Sequence, residues 1–327
     1  VNILVTGASG FVGVNLVERL LADGHSVTGV SATPMPEAAQ AAFATLPGKL
    51  RSVQADVRDR HALELLFSTA KVDAAIAGAA ITSSAERERG EPAAIFEVNL
   101  AAPFQLAALA AKHGVGRVVM FSSTAAMGDL IFGGRPLTEA TAPAPVTLYG
   151  LSKAAIEAAA ARWAGLSSAG PELVVVRLSA VFGAWERATG VRDRLSPAHA
   201  IASAAVAREP VAPLPAGGSR DWVHAPFVGE ALAWLATAPR LGHRLYTVAP
   251  GTTWHPRELL PALAGVGLPV AEEAGGRAVD FNDDLSRTRT FLDPQRLTAE
   301  FKPPPAPRLA VESFARWVKA HPEWFRA

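Results

Sequence analysis

Val1-Asn2-Ile3-Leu4-Val5-Thr6-Gly7-Ala8-Ser9-Gly10-Phe11-Val12-Gly13 opens the chain and decides how the rest of it is read. The aliphatic and β-branched run Val1, Ile3, Leu4, Val5 stops abruptly at Thr6-Gly7, as a buried strand does where it meets a turn. Gly7, Gly10 and Gly13 follow at a spacing of three. Phe11, Val12, Leu16, Val17, Leu20 and Leu21 then recur with a helical period. Strand, tight turn and helix in this order open a dinucleotide-binding βαβ unit. Gly7 permits a backbone turn that a Cβ would block. Gly10 lets the chain approach a pyrophosphate, and Gly13 lets the helix pack closely on the strand. The helix N-terminus then offers free N–H groups and a partial positive charge to the phosphates. Ser9, Phe11 and Val12 sit in the same turn and are counted with it as cofactor contacts.

The bulk properties narrow the field. The chain has 327 residues, 50% of them hydrophobic, enough for one large domain or two interlocked ones. Its net charge is +1, with no basic run to suggest nucleic acid. It has no cysteine, hence no disulfide framework and no thiolate chemistry. The eight histidines are scattered, with no pair at metal-ligand spacing, so no metal is expected. The first residues are already a strand, so no signal peptide is expected. No run reaches the roughly 18 uninterrupted apolar residues of a membrane span. A cytoplasmic protein without a membrane partner is the expectation.

Downstream, Ser26–Val30 reads as strand two, Leu50–Asp56 as strand three and Val72–Ala80 as strand four. Helices run from Ile95 to His113, and Val118–Phe121 and Leu173–Leu178 are strands five and six. This alternation predicts an α/β fold, a Rossmann-type doubly wound parallel sheet, over residues 1–183. Residues 184–327 read mainly as a smaller substrate-binding domain. The helix Val228–Ala238 and the strand His243–Val248 are expected to return to the main sheet. A last helix spans Pro307–Ala320. At the end of strand two a carboxylate would accept the adenosine ribose hydroxyls and repel a 2′-phosphate. Ser31-Ala32-Thr33 stands there instead, which tilts the choice between NAD and NADP toward NADP. Asp56-Val57, at the end of strand three, is placed near the adenine edge, with Asp56 also a candidate helix cap. Ala79, among the small residues of strand four, would let backbone approach the cofactor.

The chemistry is carried by Tyr149-Gly150-Leu151-Ser152-Lys153. A tyrosine and a lysine four apart at a helix start share one face. A neighbouring ammonium favours the phenolate and lowers a phenol from its usual pKa of about 10. Such a tyrosine can give or take a proton at a carbinol or carbonyl near neutral pH. Upstream, Phe121-Ser122-Ser123-Thr124 lies at the C-terminal end of strand five, the edge where open α/β sheets bind ligands.

Together these motifs resemble the extended short-chain dehydrogenase/reductases, in their epimerase/dehydratase branch. The resemblance runs nearly the full length, through Thr6–Gly13, Asp56-Val57, Asn99, Phe121–Thr124, Tyr149–Lys153, Arg177–Gly183 and Arg220–His224. It implies a catalytic triad of Ser123, Tyr149 and Lys153, with Thr124 as the neighbouring alternative to Ser123. It also implies that Lys153 holds the nicotinamide ribose and that Asn99 supports the lysine or a bound water. Homodimers built on two helices per subunit are implied, here near Ala101–His113 and Tyr149–Ala164. Departures from the pattern are visible. Met127 replaces the tyrosine usual before Gly128. The C-terminal P-x-R-x-x-D pattern is not recognisable near Asp280–Arg289. Arg220-Asp221 persists, and Arg220 is taken as a substrate contact. Trp185-Glu186-Arg187 and Arg192-Asp193-Arg194 are candidates for an anion pocket, with Arg187 expected on the substrate. His224 is read as structural.

The leading expectation is an NAD(P)-dependent oxidoreductase acting on a hydroxyl or carbonyl of a small polar, sugar-derived substrate. The alternative is a nucleotide-sugar 4-epimerase of the UDP-sugar type that keeps its cofactor. A non-catalytic NAD(P)-binding scaffold is the third reading.

Overall fold

A computed structural model describes residues 1–82, 84–166, 170–190, 195–281 and 285–326. The first half alternates as the sequence predicts. Strand β1 (Asn2–Thr6) leads to helix α1 (Phe11–Ala22), β2 (Ser26–Ser31), α2 (Glu37–Phe43), β3 (Lys49–Gln54), α3 (Arg60–Thr69) and β4 (Ala74–Ala77). Then come α4 (Ala85–Gly90), α5 (Pro92–Phe96), a π-helical turn (Glu97–Ala101), α6 (Ala102–Lys112) and β5 (Arg117–Ser123). A 3-10 segment (Thr124–Phe132) leads toward α7 (Leu148–Ala164) and β6 (Glu172–Leu178). The second half holds β7 (Val181–Phe182), α8 (Pro197–Ala207), β8 (Val223–His224), α9 (Ala225–Thr237) and β9 (Leu245–Val248). Helices α10 (Leu259–Gly265), α11 (Gln295–Glu300) and α12 (Pro307–Ala320) follow.

Seven parallel strands form one sheet in the order β3-β2-β1-β4-β5-β6-β9. The order reverses between β1 and β4. Beyond the carboxyl ends of those two strands lies the crevice where such sheets bind ligands. Thr6 pairs with Val30 on one side and Ala77 on the other, so the glycine turn starts in that crevice. Strand β4 is shorter than Val72–Ala80. It ends at Ala77, and at Gly78 the backbone runs so near β1 that a Cβ would stand 2.8 Å from the Thr6 carbonyl. Strand β5, by contrast, runs on through Ser122 and Ser123, held in register against Arg177 and Leu178.

The helix expected over Ile95–His113 is interrupted by the π-helical turn. Pro103 has no N–H to offer the carbonyl four residues back, at Asn99, and the wider turn absorbs the missing bond. The continuous run Pro92–Lys112, 21 residues, is long and apolar enough by length and composition to cross a membrane, although Glu97, Asn99 and Gln105 interrupt it. Half of it is buried in the molecule. Leu106, Ala107, Leu109 and Ala110 pack with Val118 and Met120 of β5.

Helix α9 lies against α1, so close that a Cβ on Gly229 would meet the Asn15 carbonyl at 2.6 Å. Strand β9 closes the sheet beside β6. A second core gathers around Phe182, Trp222, Trp254, Leu259, Phe281 and Phe314, with Phe182 and Trp254 ring centres 4.8 Å apart. The small β7-β8 sheet joins this core to the main one, since Val181 and Val223 belong to the first and Phe182 to the second.

Candidate active site

The glycine turn has the geometry its residues require. Gly7 sits at φ +70°, and a Cβ there would stand 2.7 Å from Ala79 Cα. A Cβ on Gly13 would meet the Gly7 carbonyl at 2.0 Å. No side chain caps α1 at Gly10, so its first N–H groups are not satisfied by a capping side chain. A cavity of about 550 Å³ opens in front of them, lined by Gly7, Ser9, Gly10, Phe11, Val12 and Gly13. Its walls continue through Ser31, Asp56, Val57 and Ala79 to Ser123, Tyr149 and Lys153. An uncapped helix end, a cradle that any Cβ would fill and a long continuous wall fit a dinucleotide.

At the adenosine end two expectations change. The Ser31 hydroxyl accepts the Ser9 N–H at 2.9 Å and donates to the Val30 carbonyl at 2.7 Å. The Thr33 hydroxyl lies 3.1 Å from that of Ser9. These hydroxyls are engaged in building the turn. The cap of α3 is Asp59, which accepts the Ala62 N–H at 3.0 Å, so Asp56 is not the cap. Asp56 instead binds the Arg58 guanidinium at 2.7 Å, which holds its carboxyl below the usual range.

At the other end, β5 and α7 bring the triad together. Thr147 caps α7 by accepting the Gly150 N–H at 3.0 Å, which fixes the first turn that carries Tyr149. Gly150 is required because a Cβ would meet the Ala125 carbonyl at 2.4 Å. The Lys153 ammonium lies 5.4 Å from the centre of the Tyr149 ring. Lys153 is only 2% exposed, and burial pushes its pKa down to about 7. The Ser123 hydroxyl accepts the Ala125 N–H at 3.2 Å, which leaves its proton to give. Thr124 has already given its proton to the Leu178 carbonyl at 3.1 Å. Asn99 is fully buried and does not reach Lys153. Its amide clamps the Ile81 backbone, accepting the N–H and donating to the carbonyl, each at 2.8 Å. Asn99 thus fixes the loop after β4, and it is not a helix cap.

A second cavity of about 580 Å³ adjoins the first and shares Ser123, Ser179, Ala180 and Arg220 with it. Thr124, Thr147, Phe132, Arg287 and Arg289 complete much of its wall. The Arg287 and Arg289 guanidinium carbons lie 3.7 and 5.2 Å from the centre of the Phe132 ring. Arg220 stands over Trp222 at 5.3 Å. Asp221, beside it, is buried and accepts the Leu292 N–H at 3.1 Å; burial pushes its pKa up to about 6.

The sequence profile described as "NAD dependent epimerase/dehydratase family" matches residues 3–249. The chain belongs to the NAD-dependent epimerase/dehydratase family. It is 28% identical to a UDP-glucose 4-epimerase of Neisseria meningitidis serogroup A over 359 aligned positions, 99% of both chains. A serogroup C UDP-glucose 4-epimerase is 32% identical over 164 residues, 48% of this chain and 46% of that enzyme. The 2'-dehydrokanamycin reductase of Streptomyces kanamyceticus is 33% identical over 251 residues, 73% of this chain and 59% of the reductase. Among solved structures, a Thermus thermophilus UDP-glucose 4-epimerase in complex with NAD superposes with a TM-score of 0.75. That pair is 25% identical, covering 98% of this chain and 99% of the other.

The structure also bears on other residues that the sequence singled out or passed over. Arg187 is not in the wall of the second cavity; it donates to the Ser9 carbonyl at 2.9 Å, on the glycine turn. The companion stretch Arg192–Arg194 lies outside the described residues. Arg287 and Arg289 escape sequence reasoning because the C-terminal motif around them is not recognisable. The alternation Arg287-Thr288-Arg289 is the available signal, since an extended chain puts alternate residues on one side. Met127 is buried with Ala126, Leu137, Ala249 and Leu292, so this position is packed into the core. His224 is structural as read, its ring 5.6 Å from that of Phe182. Among the described residues no cluster of three potential metal ligands occurs.

Proposed function

We propose that this protein transfers hydride between NAD and a secondary hydroxyl or carbonyl of an anionic, sugar-derived substrate. One observation carries the reading: the dinucleotide cavity ends on Ser123, Tyr149 and Lys153, and there opens into a cavity walled by Arg220, Arg287 and Arg289. When bound, the nicotinamide supplies the site that accepts or gives hydride. The chain's own residues do the rest. Ser123 holds the substrate oxygen with the proton it has not otherwise given. Tyr149 takes the hydroxyl proton during oxidation and returns it during reduction. Lys153, fixed on the same helix face, stabilises the phenolate and would bond the nicotinamide ribose. The arginines orient the substrate through its anionic group, with the planar fork that suits carboxylate or phosphate.

NAD is the dinucleotide we favour over NADP. The hydroxyls of Ser31 and Thr33 are engaged with Ser9, and no arginine follows within the next few residues to clamp a 2′-phosphate. Titration with each dinucleotide tests this; tighter binding of NADP reverses it. A homodimer on the outer faces of α6 and α7 also belongs to this reading. Leu151 on α7 and Leu166 just past its end are exposed at 45% and 66%, and Phe104 of α6 stacks on Trp163 of α7.

A 4-epimerase of nucleotide sugars is the second reading. The three arginines in the wall of the second cavity support it, since a diphosphate needs several cations, as does the likeness to the meningococcal UDP-glucose 4-epimerases. Calorimetry with UDP, GDP and dTDP separates the two. Micromolar binding of any of them selects the epimerase reading. Binding of none, with turnover of sugar acids, lactones or keto acids, selects net oxidation or reduction.

A further inference from the structure

The loop after β7 grips the cofactor half of the molecule with three residues, Ala184, Trp185 and Arg187, while Glu186 between them holds the second half. The Ala184 carbonyl accepts the Asn15 side-chain amide of α1 at 2.8 Å. The Trp185 indole N–H donates to Glu18 of α1 at 2.9 Å, and its ring packs edge-on against Trp317 at 5.4 Å and Trp324 at 5.2 Å. Glu186 is 1% exposed and receives the N–H and the hydroxyl of Ser196, at 2.7 and 2.5 Å. Arg187 then reaches the Ser9 carbonyl. Trp185 stands at φ +67°, a left-handed conformation that a bulky side chain adopts only when its surroundings impose it. Here the indole is anchored on both faces of the loop, and the strain turns the chain back so that Arg187 meets the glycine turn.

Arg187 has no carboxylate partner among the described residues, and its one hydrogen bond goes to a neutral carbonyl. A half-buried guanidinium without an acid is costly unless an anion completes it. It is placed one residue from Gly10, where α1 begins uncapped. Arg187 is not in the cavity wall, but Ser9 and Thr189 on either side of it are.

We propose that Arg187 is a positioning residue for the diphosphate of the dinucleotide, acting through Ser9: it fixes the glycine turn and adds a full positive charge beside the uncapped end of α1. The Trp-Glu-Arg stretch thereby serves the cofactor and not the substrate. It also makes the segment between the two cores part of the dinucleotide site. This rests on the dinucleotide reading above.

The test is an affinity ladder measured by calorimetry with adenosine, AMP, ADP-ribose and NAD, which needs no substrate. Arg187→Gln weakens ADP-ribose and NAD about tenfold and leaves adenosine unchanged, the size of one charge at a partly buried helix end. Arg187→Lys keeps the charge and keeps the ratio of ADP-ribose to adenosine affinity at the wild-type value. An equal loss across all four ligands, or no loss for ADP-ribose, overturns the proposal while the dinucleotide reading stands. If Arg187→Gln does not fold, a tenfold fall of that ratio in Arg187→Lys overturns it. Wild-type protein that binds neither NAD nor ADP-ribose overturns both.

Discussion

The proposed hydride transfer turns on Tyr149, and its replacement is the cleanest probe. Tyr149→Phe removes one hydroxyl from a partly exposed side chain and keeps the ring that faces Lys153. Turnover should fall about 10²- to 10⁴-fold, the span of general acid–base catalysis, while NAD affinity measured by fluorescence stays near wild type. Lys153 makes a prediction that involves no substrate. Its folded pKa of about 7 lies below the unfolded value of about 10.4. Between those values the unfolded chain carries a proton that the folded one lacks. The penalty for burying this amine is therefore full below pH 7 and fades as pH rises toward 10. Lys153→Met should raise the melting temperature of cofactor-free protein at neutral pH, and the gap over wild type should close by pH 10. At this scale the sequence revealed residue types but not partners. The glycines and the Tyr149–Lys153 pair were legible because their spacing is fixed by the backbone, whereas Ser123 was singled out by the family resemblance. Asn99 on Ile81 and Arg187 on Ser9 were not, because each bond joins segments far apart in the chain and nothing in the spacing encodes it.

Between elements, one buried ion pair ties α7, which carries Tyr149 and Lys153, to the sheet. Glu157, one turn beyond Lys153 on α7, receives the Arg177 guanidinium of β6 at 2.6 and 2.8 Å. It also receives the Ser122 hydroxyl of β5 at 2.6 Å. Arg177 spends its remaining N–H groups on the Thr138 and Thr141 carbonyls, at 2.9 and 3.2 Å. Strand β5, strand β6, helix α7 and the loop between them thus share one network. Both charges are buried, so removing one strands the other. Arg177→Met should cost about 3–5 kcal/mol in urea denaturation, far more than a typical core substitution of that size. The strands and helices of the first half were legible from periodicity. Their ends were not. Strand β4 ends at Ala77, three residues before the apolar run does, and a π-helical turn precedes Pro103, whose missing donor breaks the α-helical bonding.

The whole molecule is a dinucleotide sheet whose crevice is completed by a second core. Arg220, Arg287 and Arg289, from the same half of the chain, line the second cavity, and the loop after β7 links this half to the glycine turn. The parallel sheet was legible because strands alternating with helices leave few topologies, whereas its strand order came from the structure. The second half has short segments and many prolines and glycines, so its periodicity is weak and the arginine cluster emerged only in three dimensions. If the outer faces of α6 and α7 pair, sedimentation should give a dimer, and Leu151→Glu should yield a monomer that still binds NAD. A wild-type monomer at micromolar concentration would refute that assembly.

The most direct test of hydride transfer at Tyr149 is the appearance of reduced nicotinamide when wild-type protein and NAD meet a panel of sugar nucleotides, sugar acids and lactones. Reduced nicotinamide is expected with at least one anionic sugar, released in net oxidation or protein-bound in epimerisation, and it should be lost in Tyr149→Phe. Protein that binds NAD yet forms reduced nicotinamide with no member of the panel would contradict hydride transfer at this site.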